Sequence, residues 1–301
     1  ISFAGAFTAT DMTWKSGGIG NDNPTIRLLI KSSTIGTERI ITCTNNPVFT
    51  DIDVQDIEIA TGTPVGTRVG DCGGNTNAGC RAPQKVYADM NISGYASRDY
   101  EANIWALSSG GGSQSWDNFP LLQDTAVIDN LTGDNTEDTI TVRGFRVGII
   151  DAGTLTEGLR FQISGDVTFY GSFTRGLLIC IDGSGKYTFD ARVATTLSIT
   201  SGSFSGHSIT IDSHGGTVQL AAALTHTGTF TLTRGTFDLN GQTLTTNKWS
   251  SSNSNTRTYS GGTISVKGLT GDVFDQATDT GLPVSSTPAI ITPTGLLTAN
   301  V

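Results

Sequence analysis

Asp182, Asp190, Asp212 and Asp238 place carboxyl groups in a part of the chain otherwise rich in Gly, Thr and Ser. Paired carboxyls on one face, roughly 5–9.5 Å apart, can hydrolyse a glycosidic bond. His207, His214 and His226 offer ring nitrogens for general-base work or for a metal. Spacing argues against both chemistries. Asp212 and Asp238 are 26 residues apart and Asp182 and Asp190 only eight, so neither pair is stacked by a repeat near 20. The histidine spacings, 7 and 12, fit no ligand rule. Each Asp is therefore expected to end a strand and bond the following turn, as in Asp182-Gly183-Ser184-Gly185. The histidines are expected at solvent-exposed corners.

Cys72 and Cys80 bracket a Gly- and Asn-rich loop, a candidate disulfide. Zinc would need two further ligands, but Cys43 lies far upstream and Cys180 sits in the apolar run 177–181, where it reads as a small buried hydrophobe. The loops Asp71 to Asn77 and Asp134 to Asp138 are oxygen-rich but lack EF-hand or nonapeptide spacing. The sequence has no Gly-x-Ser-x-Gly elbow, Walker loop or dinucleotide fingerprint. No catalytic residue, cofactor or metal site is expected, and the chain reads as a non-enzyme.

The elements that would position these groups are strands. Of 301 residues 38 are Gly, and only 15% are charged, a balance unlike that of helical proteins. Short runs such as Thr139-Ile140-Thr141-Val142 and Thr229-Phe230-Thr231-Leu232 alternate with period two and stop at Gly or Asn. Net charge is −9 with cations scattered singly, which argues against nucleic acid. No stretch reaches the roughly 18 apolar residues of a membrane helix, so no membrane insertion is expected.

Four segments follow. Residues 1–84 form an irregular β-region without a common period. Residues 85–135 form an aromatic-rich junction or cap, with Tyr87, Tyr95, Tyr100, Trp105, Trp116 and Phe119. These rings suit either a sugar-stacking platform or packing over the open end of a repeat, and packing is the expectation. From 136 to 270 apolar positions recur: Leu177, Leu197, Val218 and Phe237 at intervals of 20, 21 and 19, Ile209 and Phe230 at 21, Leu244 and Ile264 at 20. That predicts a β-solenoid, a right-handed parallel β-helix with coils of about 20 residues. Asn240-Gly241 alone would suit a hairpin in an antiparallel sandwich, but a sandwich has no reason to keep such a period. Residues 271–301 form an extended, Pro- and Thr-rich tail. Its apolar side chains between Gly281 and Val301 must be covered by its own solenoid, a neighbouring subunit or a further domain.

Three segments carry a family resemblance: Gly216-Thr217-Val218-Gln219-Leu220, the run Gly228 to Thr245, and Ser250 to Arg257. Together with the lead-in Asp117-Asn118-Phe119-Pro120-Leu121-Leu122-Gln123-Asp124-Thr125-Ala126-Val127-Ile128-Asp129, this text resembles large β-solenoid virion proteins of tailed bacteriophages over roughly residues 85–268. It is also similar to secreted bacterial adhesins. The resemblance implies a virion-borne, extracellular fibre, spike or decoration protein, homo-oligomeric and commonly trimeric. The partners expected are other virion proteins and a host-surface glycan or protein. It carries no catalytic motif onto this chain, and residues 1–84 fall outside it.

Overall fold

The structure, a computed structural model, describes residues 1–16, 27–88, 97–100, 103–110, 113–129, 138–143, 146–153, 159–175, 179–183, 185–192, 196–199, 202–204, 207–251, 253–267, 274–275 and 290–293. Their regular structure is strand, apart from one 3-10 turn at Trp116–Asn118. The strands stack in parallel coils of about 21 residues, a β-solenoid. Two compact units are present. The first comprises Ile1–Asn91, Glu101–Asn130 and Val147–Ile149, and the second Ile92–Tyr100, Leu131–Arg146 and Ile150–Val301.

The second unit shows why the sequence repeats. Val167, Tyr187, Ile209, Phe230 and Trp249 occupy one register position on successive coils, at offsets of 20, 22, 21 and 19. All five are buried. A parallel ladder sets like positions about 4.8 Å apart, so a large apolar residue in each coil covers its equivalent in the next. The rings stack accordingly: Phe169 lies 5.0 Å from Phe189, and Phe230 lies 5.8 Å from Trp249 at an interplanar angle of 7°. Full burial of such side chains stabilises by about 1.5–3 kcal/mol each.

The predicted spacings appear as ladder partners. Leu197 pairs with Val218, Val218 with Phe237, Ile209 with Phe230, and Leu244 with Ile264. Leu177 lies outside the described residues. Asn240 and Gly241 hold φ of 49° and 74°, and the Gln242 amide donates to Leu239 O at 2.8 Å to close the turn. The strands that this turn joins, Leu224–Asp238 and Thr243–Ser250, pair in parallel with coils before and after rather than as a hairpin. The dipeptide makes a corner. Asn240 Nδ2 reaches Leu220 O of the preceding coil at 3.2 Å and ties the corner to the stack. At the far end of the second unit, Ile290–Pro293 continues the ladder against Thr263–Val266.

The first unit is parallel too, but its stride is uneven. Ser2 pairs with Lys31, Leu28 with Ile52 and Val48 with Val65, offsets of 29, 24 and 17. Phe7 pairs with Ile41 and Ile41 with Ile59, offsets of 34 and 18. Unequal offsets leave no period to read in the sequence, although the stacking principle is unchanged. Its core gathers Ile30, Ile41, Phe49, Ile52, Val54 and Ile57, with Trp14 stacked on Phe49 at 5.4 Å. Among the described residues of this unit, one strand pair departs from the parallel rule: Trp105–Ala106 runs antiparallel to Lys85–Ala88.

Candidate functional site

Side chains alternate sides along a strand, so inward Tyr187, Ile209 and Phe230 fix which neighbours face outward. Thr168, Thr188, Thr210, Thr231 and Ser250 then form one outward rank, a hydroxyl per coil over five coils. Thr168, Thr188, Thr231 and Ser250 are half-buried, and Thr210 is nearly covered. Two residues further along each strand, the same face changes character.

There the offset of 22 between Tyr187 and Ile209 persists to the bridge between Arg192 and His214, which sets Asp190 opposite Asp212. Asp212 in turn pairs in register with Arg234. His214 Nδ1 lies 2.9 Å from Asp190 Oδ1, both side chains about nine-tenths covered. Asp212 Oδ1 and Arg234 Nε are 3.5 Å apart, with a third or more of each side chain exposed. Neither of these two atoms has a hydrogen-bond partner. Asp190, Asp212 and His214, separate in the sequence reading, thus come together, and Arg234 joins them. The missed clue is the 22-residue separation of Asp190 and Asp212, one coil once strides of 19–22 are admitted. Asp190 is hydrogen-bonded to His214 and Asp212 is ion-paired with Arg234, an arrangement that ties neighbouring coils together.

The other residues disperse. Asp238 does what the sequence implies, its Oδ1 accepting from the Asn240 amide at 2.8 Å, while Oδ2 accepts from Gln219 Nε2 at 2.8 Å on another face. Asp190 and Asp212 do not end strands in this way. The side chains of Asp182 and Cys180 and the loop 134–137 lie outside the described residues. The histidines correct the expectation of exposed corners: His207 is 4% and His226 1% exposed. Each ring turns inward and finds a carbonyl, His207 Nδ1 at 3.1 Å from Gly185 O and His226 Nε2 at 3.2 Å from Thr229 O. Small residues make the room, since a Cβ on Gly228 would come 2.9 Å from His226 Cε1.

In the first unit, the loop after Asp71 satisfies its own oxygens. Asp71 Oδ1 accepts from Gly73 N at 2.7 Å and Asn75 Nδ2 at 2.6 Å, and Asn75 Oδ1 accepts from Ile57 N at 2.9 Å. No group of three or more His, Cys, Asp or Glu fit for a metal occurs among the described residues. Cys72 is buried and Cys80 half-buried, and both are thiols in this structure. Burial, with Asp71 and Asp53 nearby, pushes the Cys80 thiol up to about 12. Burial with Asp11 also raises Cys43.

A charged seam crosses the same unit. Arg27 Nε donates to Asp53 at 2.7 Å, and Arg68 donates to both oxygens of Asp51, at 2.5 and 2.9 Å. The bond to Asp51 raises the Arg68 pKa above its ordinary value. Arg81 Nη2 meets the fully buried Asp124 at 2.5 Å. Burial lowers Arg81 and raises Asp124, even though Asp124 also accepts from the Leu121 and Gln84 amides. Trp105 and Phe119 are buried. These rings of the aromatic-rich segment are packed rather than displayed, while Tyr95 lies outside the described residues. No helix of the described residues is long and apolar enough to cross a membrane. Comparison with protein-family models, curated proteins and solved structures found no match for this chain.

Proposed function

We propose that this chain is a structural component of a bacteriophage virion appendage, a tail fibre, spike or capsid decoration, that attaches to the host surface. The observation that carries the reading is the stacked solenoid with an outward hydroxyl on every coil from Thr168 to Ser250. Such a surface offers one weak polar contact repeated at fixed spacing, and multiplying copies raises avidity without a new contact. The sequence likeness to phage β-solenoid proteins supports the same assignment, with an extracellular, virion-borne, homo-oligomeric and preferentially trimeric chain. Its partners in this reading are other virion proteins and a host glycan or protein.

Mass spectrometry of purified particles from the source tests it. Recovery of this chain's peptides in virions, at a copy number that is a multiple of three, is the expected result. Recovery only from cell envelopes or culture supernatant overturns it in favour of a secreted bacterial adhesin of the same architecture.

One observation favours a further reading, a polysaccharide-degrading spike: Asp190 and Asp212 stand opposite each other on neighbouring coils. Against it stand the partners that already engage both carboxyls, His214 on Asp190 and Arg234 on Asp212. Reducing sugar released from host polysaccharide, and lost on Asp212→Asn, would favour cleavage over attachment.

A further inference from the structure

We propose that the corner formed by Asn240 and Gly241 is a modification site, a point of spontaneous deamidation whose reaction is held off by the stacking of the coils on either side of it. The inference stands apart from the attachment reading and concerns how long the stack lasts.

Asn240-Gly241 is the one Asn-Gly pair in the sequence, and every other Asn is followed by a residue with a side chain. Both residues of the corner are exposed. The Gly241 amide nitrogen can attack Cγ of the Asn240 side chain because glycine has no Cβ to hinder the approach. A bond forms between Gly241 N and Cγ, the Cγ–Nδ2 bond breaks, and the proton shed by Gly241 N leaves with Nδ2 as ammonia. Water then opens the cyclic imide at either carbonyl. The products are aspartate and isoaspartate, with no change of oxidation state.

The fold holds the two reacting groups apart. Asn240 Nδ2 donates to Leu220 O in the preceding coil at 3.2 Å, whereas the Gly241 amide donates to Gly261 O in the following one. The electrophile is tied back and the nucleophile tied forward, and the proton that must leave Gly241 N is engaged. The Asn240 amide is fixed as well, donating to Asp238 Oδ1 at 2.8 Å. Reaction requires the corner to lift from both neighbours, so its rate in the folded chain follows that local opening. The product cannot close again. Its carboxylate has no donor for Leu220 O and lies in the same turn as the Asp238 carboxylate. Isoaspartate also adds a backbone carbon ahead of Gly241, which moves that amide out of step with Gly261 O. Each opening that reacts is therefore permanent.

The test follows the tryptic peptide from Gly235 to Lys248, which also contains Asn247 as an internal comparison. The full chain, folded and in urea, is incubated at mildly alkaline pH, digested at mildly acidic pH and read by mass spectrometry with fragmentation that separates isoaspartate from aspartate. In urea Asn240 should convert well ahead of Asn247. In the folded chain its conversion should be at least about tenfold slower than in urea. Asp238→Ala, which releases the Asn240 amide but keeps both reacting groups, should speed the folded reaction by at least about threefold, and Gly241→Ala should suppress the reaction in urea. Converted chain, separated by its added negative charge, should melt below the parent. Equal Asn240 rates folded and in urea, conversion in urea no faster than that of Asn247, an unchanged folded rate in Asp238→Ala, or identical melting of converted and parent chains overturns the proposal.

Discussion

Arg68 and Asp51 stack one coil apart with the same left-handed backbone, φ of 57° and 54°, and are joined by a two-pronged ion pair. The ladder between Val48–Gln55 and Val65–Asp71 runs in register on both sides of them, Thr50 with Thr67 and Ile52 with Val69. Two coils therefore make the same bend at the same place. A left-handed φ at a non-Gly residue is unfavourable, and the pair holds both bends. Arg68 Nη1 also reaches Asp117 at 2.6 Å. Because Asp51 is 1% exposed, Arg68→Ala should leave a buried carboxylate with only the longer ion pair to Arg27, at 3.8 Å, and destabilise the first unit by about 3 kcal/mol. Removing exposed Asp117, by Asp117→Ala, should cost about 1 kcal/mol or less. Urea unfolding of both variants checks the contrast.

Glycines in the second unit divide sharply. A Cβ on Gly185 would overlap the Gly165 carbonyl of the neighbouring coil, and one on Gly228 would overlap that of His207. Gly185→Ala and Gly228→Ala force backbone apart and should yield insoluble or unfolded protein. A Cβ on Gly241 meets nothing within 4 Å, so Gly241→Ala pays only for its positive φ, about 1 kcal/mol. Soluble yield and thermal melting of the three variants decide it.

Asp124 gives the first unit a pH signature. Burial raises its pKa, so the folded state holds the proton more tightly than the unfolded chain does. Its contribution to stability is thus present below the ordinary carboxylate value and is lost as pH rises through the raised one. Asp124→Asn should remove this component while lowering stability at neutral pH, because the Arg81 partner and one acceptor oxygen are lost. Unfolding free energies from pH 3 to pH 8 for both proteins, on a scale of roughly 1.4 kcal/mol per pK unit, test the slope. Identical pH profiles would contradict it.

Cys80 should be a sluggish thiol. With its pKa near 12, little thiolate exists at pH 8, and alkylation of the folded, reduced protein should be much slower than that of the unfolded chain. A Cys72–Cys80 bridge, if the chain matures in an oxidising compartment, would then form before this loop packs. Peptide mapping without reductant after oxidative refolding should recover the two cysteines linked. Equal alkylation rates folded and unfolded would refute the buried-thiol account.

Arg257 organises a loop by itself. It is fully buried, with Nε on Ser251 Oγ at 2.8 Å and Nη1 on Asn253 O and Asn255 O at 2.6 and 2.9 Å, and Nη2 also donates to Ser251 O. These carbonyls need a planar fork of donors, which an ammonium does not provide. Arg257→Lys should destabilise almost as much as Arg257→Ala, by about 2–4 kcal/mol, as measured by chemical denaturation.

The solenoid of the second unit was legible because one apolar residue per coil must cover its equivalent, which writes the stride into Leu197, Val218 and Phe237. The first unit follows the same rule with offsets between 17 and 40, and without a constant stride the eye has nothing to align. The site was only half legible. Asp190, Asp212 and His214 were visible as chemistry-bearing residues, but a fixed 20-residue ruler hides a pair 22 apart. Arg234 was invisible, since its partnership with Asp212 depends on a bulge. His207 and His226 misled for different reasons: the carbonyl that receives the His207 ring, Gly185 O, lies a full coil away in sequence, while the His226 ring folds back onto Thr229 O three residues on, where Gly228 leaves it room.

The bulge has a consequence for how such a chain can change. Between Asp212–Arg234 and Thr217–Thr236 the offset falls from 22 to 19, so Ser213, His214 and Gly215 take up slack without disturbing the columns on either side. Length here is decoupled from stacking. A change of length there would fall on Ser213, which is buried and accepts from the Ala191 amide, and on the His214–Asp190 contact, while the apolar columns on either side keep their register.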